Sequence, residues 1–256
     1  MLSVRFEDLH FRGYGDRDDY GFWIRKGGWS GWEVPPAQRA DIIARATSHG
    51  THDALQLFDA REVEQKGFFR APSLDELVYM SEHLAGMLDG TERTLVVKHG
   101  GTTRWAKFKR SLSEPMIVTS SDGALHVGEY EIVHRMSDPR KYGDTNLIRP
   151  DGTAVHYGNF PAIPILSVTA TATMTGGYTV FGPDNKRFVV TQTLPAGSTH
   201  RIDMSTGWLT LDGAPQVGAV GRADLWTIPP GKAITHGFVP ASGSGVLTGT
   251  APDTFI

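Results

Sequence analysis

The stretch that decides the fold is RTLVVKHGGTTRWAKFK, residues 93–109. Two runs rich in β-branched and aromatic residues flank the pair Gly100-Gly101, and such a pair favours a tight turn between antiparallel strands. In the second run the basic residues alternate imperfectly with Trp105 and Phe108. The sequence therefore predicts a β-hairpin with one face in water.

Just upstream, the segment PSLDE at residues 72–76 predicts the start of a helix. Ser73 can cap the free amides of the first turn, and Glu76 follows at the spacing of a capping box. An apolar stripe at helical spacing comes next, and Gly90 supplies the left-handed residue that commonly ends a helix. The stripe consists of Leu74, Leu77, Val78, Leu84, Ala85 and Leu88.

Downstream of the hairpin the chain changes character. Residues 125–134 are a further strand candidate, and no glutamate occurs after Glu131, where Thr, Gly, Ser and Pro become frequent. Threonine fits strands, while glycine and proline fit turns. Regular strands and turns without a helical period are typical of a β-sandwich. The predicted strands are residues 163–173, 177–181, 187–193, 200–203, 208–211 and 225–228.

A boundary between two domains is expected around residues 137–144, where Pro, Gly and charged residues cluster. We therefore predict a mainly β protein with domains at residues 1–137 and 138–256. The first should be a β-sandwich or split barrel with one α-helix and the hairpin. The second should be a β-sandwich.

The composition excludes several classes of function. The chain has 256 residues, a formal net charge of −3 and no cysteine. Disulfides and thiolate metal sites are excluded, and the charge gives no signature for nucleic acid or an anionic membrane. No apolar run approaches the ~20 residues of a membrane span. Because Glu7 and Asp8 come too early for a secretory signal, we expect a chain made in a cytoplasm.

Motifs that carry chemistry are missing or weak. The sequence has no phosphate-binding glycine loop and no His-Glu-x-x-His pair, and GSG at residues 243–245 is typical of a flexible loop rather than a nucleophile elbow. The cluster His49, His52 and Asp53 fits a turn better than a ligand set. We therefore predict no catalytic residue, no cofactor, no metal and no enzyme. The alternative, a hydrolase built on that cluster, requires a bound metal.

Two groups of aromatic residues leave a binding role open. Three of the six tryptophans fall within residues 23–32, where they could form a ligand platform, an inter-subunit contact or part of the core. Trp208 and Trp226 could stack on a sugar ring if exposed, although Leu225 and Ile228 beside Trp226 favour core packing. A carbohydrate-binding module is therefore the alternative to a purely structural protein.

A set of motifs in the second half resembles the C-terminal domain of the distal tail proteins and related minor tail proteins of long-tailed phages. These motifs occur in the family's order, with glycines at turns and prolines at a strand entry. The first half, with its capped helix, hairpin and DPRKY exit at residues 138–142, is similar to the family's ring-forming domain. The motifs are NLI at 146–148, YGNFPAIPI at 157–165, HRIDM at 200–204, GWLTLDG at 207–213 and LWTIPPG at 225–231.

The resemblance implies a structural subunit of the virion tail tip. The N-terminal domain would form a hexameric ring between the tail tube and the tail hub or tape-measure protein, and the C-terminal domain would be a galectin-like sandwich. The sugar motif of true galectins is lacking, so glycan binding does not follow from that fold. The hairpin provides the expected ring-interface residues, which are Thr94, Val96, Lys98, Arg104, Trp105 and Lys107.

Overall fold

The computed structural model describes residues 1–16, 18–39, 43–49, 51–52, 57–111, 116–122 and 125–256. The chain forms two compact units, one comprising Met1–Lys141 with Ile256 and the other Tyr142–Phe255. Both units consist mostly of strands, and the described residues contain one α-helix. The prediction of a mainly β fold is confirmed.

The first unit is built on a closed barrel of seven strands, in the order β12-β8-β3-β2-β1-β9-β10 and back to β12. β2 and β3 pair in parallel, and the other neighbours in the ring pair antiparallel. β11 adds to β12 outside the ring, β4 pairs with β7, and β5 with β6. The elements are β1 (Ser3–Phe6), β2 (Leu9–Arg12), β3 (Gly21–Ser30), β4 (Gln38–Arg39), β5 (Ile43–Ala44), β6 (Thr51–His52), β7 (Leu57–Phe58), β8 (Arg61–Arg70), α1 (Leu74–Gly86), β9 (Arg93–His99), β10 (Thr102–Arg110), β11 (Met116–Asp122) and β12 (Leu125–Met136).

The predicted hairpin is β9 and β10, and the predicted strand at 125–134 is β12. His99 pairs with Thr102 across the turn, where Gly100 and Gly101 both have positive φ. The barrel closes where Lys109 and Arg110 of β10 pair with Arg135 and His134 of β12. These confirmed elements are the ones for which the sequence carries a strong local signal.

Aromatic side chains fill the inside of the barrel. Phe6 stacks on Phe11 at 5.2 Å between ring centroids, Phe11 contacts Phe22 at 5.1 Å, and Phe22 contacts Phe69 at 5.3 Å. Gly128 on β12 leaves room for this column, because a Cβ there would lie 2.2 Å from the Phe69 ring. Trp32 belongs to this core and Trp29 packs against it, so the structure favours core packing for these two residues. Trp23 is buried outside the core cluster, stacked on Phe68 at 5.5 Å between ring centroids.

A buried polar chain crosses this aromatic core. The His134 Nε2–H donates to Gln65 Oε1 at 2.9 Å, Gln65 Nε2 donates to the Tyr130 hydroxyl at 3.2 Å, and that hydroxyl donates to the Trp23 carbonyl at 3.1 Å. His134 Nδ1 is buried without a partner. Burial lowers the pKa of His134 to about 3 from its ordinary value of 6.5. His134 is therefore neutral in the folded protein.

Arg61 ties two loops to the start of β8. Its guanidinium is almost fully buried and donates to four carbonyls, those of Pro139, Gly31, Trp32 and Val34. Lys141 donates to the same Trp32 carbonyl at 2.9 Å, with its Nζ 5.6 Å from the Trp32 ring centre. Burial and the nearby Arg61 charge lower the pKa of Lys141 to about 8. These two side chains fix the loop at 31–34 against the barrel.

The helix α1 begins as predicted, because Ser73 Oγ accepts a hydrogen bond from the Glu76 amide at 3.2 Å. It ends at Gly86, and Gly90 lies beyond it with a positive φ. Leu77, Leu84 and Leu88 are buried in the barrel core, but Leu74 and Val78 are exposed. Ala85 is exposed as well, so the predicted apolar stripe was wrong at three positions. The buried line follows Leu77, with Leu84 and Leu88 two and three turns further along the chain.

The second unit contains two larger sheets that share one core. One sheet has the order β13-β24-β15-β18-β19-β20, the other β21-β17-β16-β23, and β14 pairs with β22. Leu166 and Ile202 of the first sheet belong to the same buried cluster as Val180 and Phe188 of the second. The strands are β13 (Lys141–Leu147), β14 (Thr153–Ala154), β15 (Ile165–Ala172), β16 (Tyr178–Phe181), β17 (Arg187–Val190), β18 (Thr199–Asp203), β19 (Trp208–Leu211), β20 (Ala214–Pro215), β21 (Val220–Ala223), β22 (Ile234–Thr235), β23 (Gly237–Pro240) and β24 (Ser244–Phe255).

Two predictions for the second unit were wrong. Residues 225–228 form no strand, and Ile228 makes only an isolated bridge to Ala162 because the chain there turns Trp226 into the core. The GSG segment is not a free loop, since β24 begins at Ser244 and pairs with β15. Gly249 suits this strand because a Cβ there would lie 2.6 Å from the Ile165 carbonyl oxygen. Glycine in β24 thus reflects close packing.

The buried His134 predicts a loss of stability in mild acid. The unfolded chain binds a proton at this residue below about pH 6.5, whereas the folded chain does not until about pH 3. Protonation of His134 in the unfolded chain should therefore lower the unfolding free energy by about 2 kcal/mol as the pH falls from 6.5 to 5. His134→Gln should flatten this part of the curve, measured by urea unfolding at each pH. The exposed His99→Gln is the control, and identical slopes for all three proteins would contradict the prediction.

The buried hydrogen bonds of Arg61 predict that its substitution strongly lowers the free energy of unfolding. Arg61→Met leaves buried carbonyls without their donor and should lower the unfolding free energy by about 3 kcal/mol or more. Arg70→Met, at the exposed end of the same strand, should change it by no more than about 0.5 kcal/mol. Equal effects of the two substitutions in chemical denaturation would show that Arg61 does not hold the loops.

Candidate interaction surface

On β1, β2, β9 and β10, successive side chains alternate between the inside of the barrel and its outer wall. Val4, Phe11, Leu95 and Phe108 are buried inside, so the residues between such positions face outward. The register joins the outward residues across strands, with Ser3 opposite Lys98 and Val96 opposite Trp105. The remaining outward pairs are Arg5 with Val96, Arg5 with His10, Ser3 with Arg12, and Thr94 with Lys107.

The six predicted ring-interface residues do not share one face. Thr94, Val96, Lys98, Trp105 and Lys107 follow the outward register, whereas Arg104 pairs with the buried Val97 and follows the opposite one. Arg104 is half-buried, and its charge contributes to the lowered pKa of Lys141. Arg104 therefore follows the inward register of the strand. The sequence could not show this, because basic and aromatic residues alternate imperfectly in this strand.

Sequence reasoning missed the part of this wall contributed by β1 and β2. Ser3, Arg5, His10 and Arg12 stand beside the hairpin residues through the pairing of β1 with β9. The alternation of Ser3-Val4-Arg5-Phe6 is a period-two signal, but four residues are too few to assign a strand by pattern alone. The pairing itself joins residues far apart in the chain, and no local motif reports it.

A groove of about 570 Å³ runs over this wall. Arg5 and Lys98 are exposed there and form no hydrogen bond or ion pair with any described residue. Arg12 is paired with Asp18 at 2.7 Å, and His10 contacts the Ser3 hydroxyl at 2.8 Å. Burial, followed by the charges of Arg5 and Arg12, lowers the pKa of His10. The lining also includes Met1, Leu2, Asp16, Val96 and Thr103.

The cations in this groove differ from Lys66 of β8. On the opposite side of the barrel, Lys66 is bound by Glu64 and lies 2.9 Å from Glu131, so its charge is already compensated. Arg5 and Lys98, which form no side-chain hydrogen bond or ion pair with a described residue, lie beside half-buried Val96 and Trp105 and offer charge next to apolar area. Such a surface suits a protein partner that carries carboxylates beside apolar side chains.

The two tryptophans proposed for sugar binding are placed very differently. Trp208 on β19 is 58% exposed, whereas Trp226 is 3% exposed and its indole N–H donates to His236 Nε2 at 3.0 Å. Trp226 packs in the core of the second unit and has no free face for a ligand. Of these two residues, therefore, only Trp208 has an exposed ring that could stack on a sugar.

The metal alternative gains no support. Asp53 lies outside the described residues, so the cluster with His49 and His52 is not assembled in the part that is described. Among the described residues, no group of three or more His, Asp or Glu side chains is arranged to hold a metal ion. In the same part of the chain, no helix has the length and apolarity needed to span a membrane.

Comparison with known proteins gives a match in structure alone. No protein-family model matches the chain, and no curated sequence matches it. The crystal structure of the SPP1 Dit protein, described as a paradigm of the hub adsorption apparatus of phages that infect Gram-positive bacteria, superposes with a TM-score of 0.74 at 13% identity. The match covers 100% of both chains.

A second match is a chain of the phage p2 baseplate in its activated conformation with Sr, with a TM-score of 0.51 at 9% identity. It covers 97% of each chain. At such identities the likeness concerns the fold. The predicted resemblance to phage distal tail proteins is confirmed at that level: over its whole length, this chain has the fold of the SPP1 Dit protein.

Proposed function

We propose that the chain is a structural, non-enzymatic subunit of a phage tail tip. The observation that carries this proposal is the match to the SPP1 Dit protein over the full length of both chains. A match limited to one unit would support only a shared domain, whereas this one includes the barrel, the helix and the two-sheet unit together. The protein's place in the virion would be the tail tip.

The arrangement that we propose is a ring, with six copies, that joins the tail tube to the tail hub or tape-measure protein. Residues 1–137 would form the ring and residues 138–256 a galectin-like sandwich. The outward hairpin residues, Thr94, Val96, Lys98, Trp105 and Lys107, would lie at contacts between proteins. Arg5 and Lys98 support this placement, because cations without a partner among the described residues, lying beside apolar area, are typical of a protein-binding surface.

A ring predicts a defined native mass. Six copies of 27.9 kDa would weigh about 167 kDa, and closed cyclic symmetry is the common route to such assemblies. Light scattering over a range of protein concentrations, with negative-stain images of the same samples, should show this species. A strictly monomeric chain at every concentration, together with its absence from purified tail tips, would contradict the proposal.

A second candidate function is attachment to a host cell-surface glycan through Trp208. The observation that favours it is the large exposed face of this ring on β19, since aromatic faces stack on sugars. This function is compatible with a structural role, because it would use the second unit alone.

Glycan binding through Trp208 predicts that substitution of this residue weakens the affinity for the glycan. Trp208→Ala should weaken binding of host cell-wall polysaccharide about five- to tenfold, measured by tryptophan fluorescence titration of the wild type and by calorimetry of both proteins. Tyr157→Ala removes another exposed aromatic ring from the same unit and should leave the affinity unchanged. Absence of binding by the wild type would eliminate this candidate.

A further inference from the structure

We propose that the groove on the barrel wall binds the outer face of helix α1 from a second copy of the chain. The contact would use Arg5, Val96 and Lys98 of the groove together with Trp105 and Lys107 beside it on β10. The helix face consists of Leu74, Asp75, Val78, Tyr79 and Glu82. The inference rests on the proposed ring and names the two surfaces that join neighbouring copies. Each copy would present its groove to one neighbour and its helix to the other.

The helix face combines carboxylates with uncovered apolar side chains. Leu74 and Val78 are exposed one turn apart, and Tyr79 is 62% exposed. Asp75, Tyr79 and Glu82 follow each other at intervals of four and three residues, so they line one side of the helix. The opposite side, with Leu77 and Leu84, is already buried in the barrel core. Among the described residues, Leu74 and Val78 keep 48% and 42% of their surface exposed on the outer side, and this area is available to a partner.

The groove is complementary to this face in both charge and polarity. Arg5 and Lys98 lack partners, and Lys107 Nζ contacts only the Thr94 hydroxyl, at 2.8 Å, among the described residues. Val96 and Trp105 sit opposite each other between these cations and are half-buried. Two carboxylates flanking an apolar patch would meet cations that likewise flank an apolar patch. Complementary charges of this kind set the register of a protein contact.

A single copy cannot bring its own helix to its own groove. The C-terminal part of α1 is held at the turn between β1 and β2, where His83 Nε2 lies 3.1 Å from Asp8 and Arg93 lies 3.4 Å from Glu7. The groove includes the other end of the same strands, at Ser3, Lys98 and Arg12. The two surfaces can therefore meet only between copies. A contact between unlike surfaces repeats from copy to copy and closes into a ring when the rotation allows it.

Charge reversal on full-length protein tests the inference. A groove variant carries Arg5→Glu with Lys98→Glu, and a helix variant carries Asp75→Lys with Glu82→Lys. Each variant alone opposes like charges at every contact and should self-associate at least about tenfold more weakly than wild type. An equimolar mixture should assemble again, because copies of the two kinds can alternate. One chain that carries all four reversals should also regain assembly.

The measurement is sedimentation velocity over a concentration series, with circular dichroism to show that each variant is folded. The matched control is Arg25→Glu with Lys26→Glu, which makes the same change of charge on exposed residues of β3. This control should associate like wild type. Because the chain has no cysteine, Val78→Cys with Thr94→Cys gives a second readout, a ladder of disulfide-linked copies under mild oxidation.

The outcomes separate the inference from the proposed function. Rings that form equally well in the groove variant, the helix variant and the wild type would overturn the docking inference and leave the tail-tip role intact. Folded variants that fail to reassemble, either mixed or combined in one chain, would also overturn it. Both would be overturned by a wild-type chain that forms no rings and is absent from purified tail tips, together with a Val78→Cys/Thr94→Cys variant that forms no cross-linked ladder.

Discussion

The short pairing of β10 with β12 is the constraint on which the first unit depends. Lys109 opposite Arg135 and Arg110 opposite His134 turn an open sheet into a barrel. Closure gives every strand an inside and an outside, so that alternation places Phe6, Phe11, Phe22 and Phe69 inside and Arg5, Lys98 and Lys107 outside. It also encloses His134 next to Phe108 and Phe6, where the imidazole is kept neutral by burial. The core and the outer surface are thus two results of one closure.

Local signals in the sequence predicted the local elements well. The capped start of α1, the Gly100-Gly101 turn and the strand β12 depend on neighbours within a few residues, and sequence patterns report such neighbours directly. The errors fall where tertiary contacts decide. Leu74 and Val78 fit a helical stripe but face away from the core, and Trp226 sits in an apolar run that the structure leaves without a strand.

The candidate surface was predictable in part for the same reason. Val96, Lys98 and Lys107 could be placed outward from the alternation of one hairpin. Arg5 and Arg12 could not, because their position beside Lys98 follows from the pairing of β1 with β9, across most of the first unit. The complementary helix face was hidden as well, since Leu74 and Val78 were expected inside. The fold itself is shared with the SPP1 Dit protein although only 13% of the residues are identical.

The filled interior of the barrel has a consequence for how material could pass through an assembly of these chains. Phe6, Phe11, Phe22, Phe69 and Tyr130 occupy the inside of the barrel, so the described residues leave no aperture through it. Any lumen would have to open between copies and be bordered by outer-wall side chains. Its width would then depend on how many copies surround it, and its electrostatic character on which charges the contacts leave uncovered.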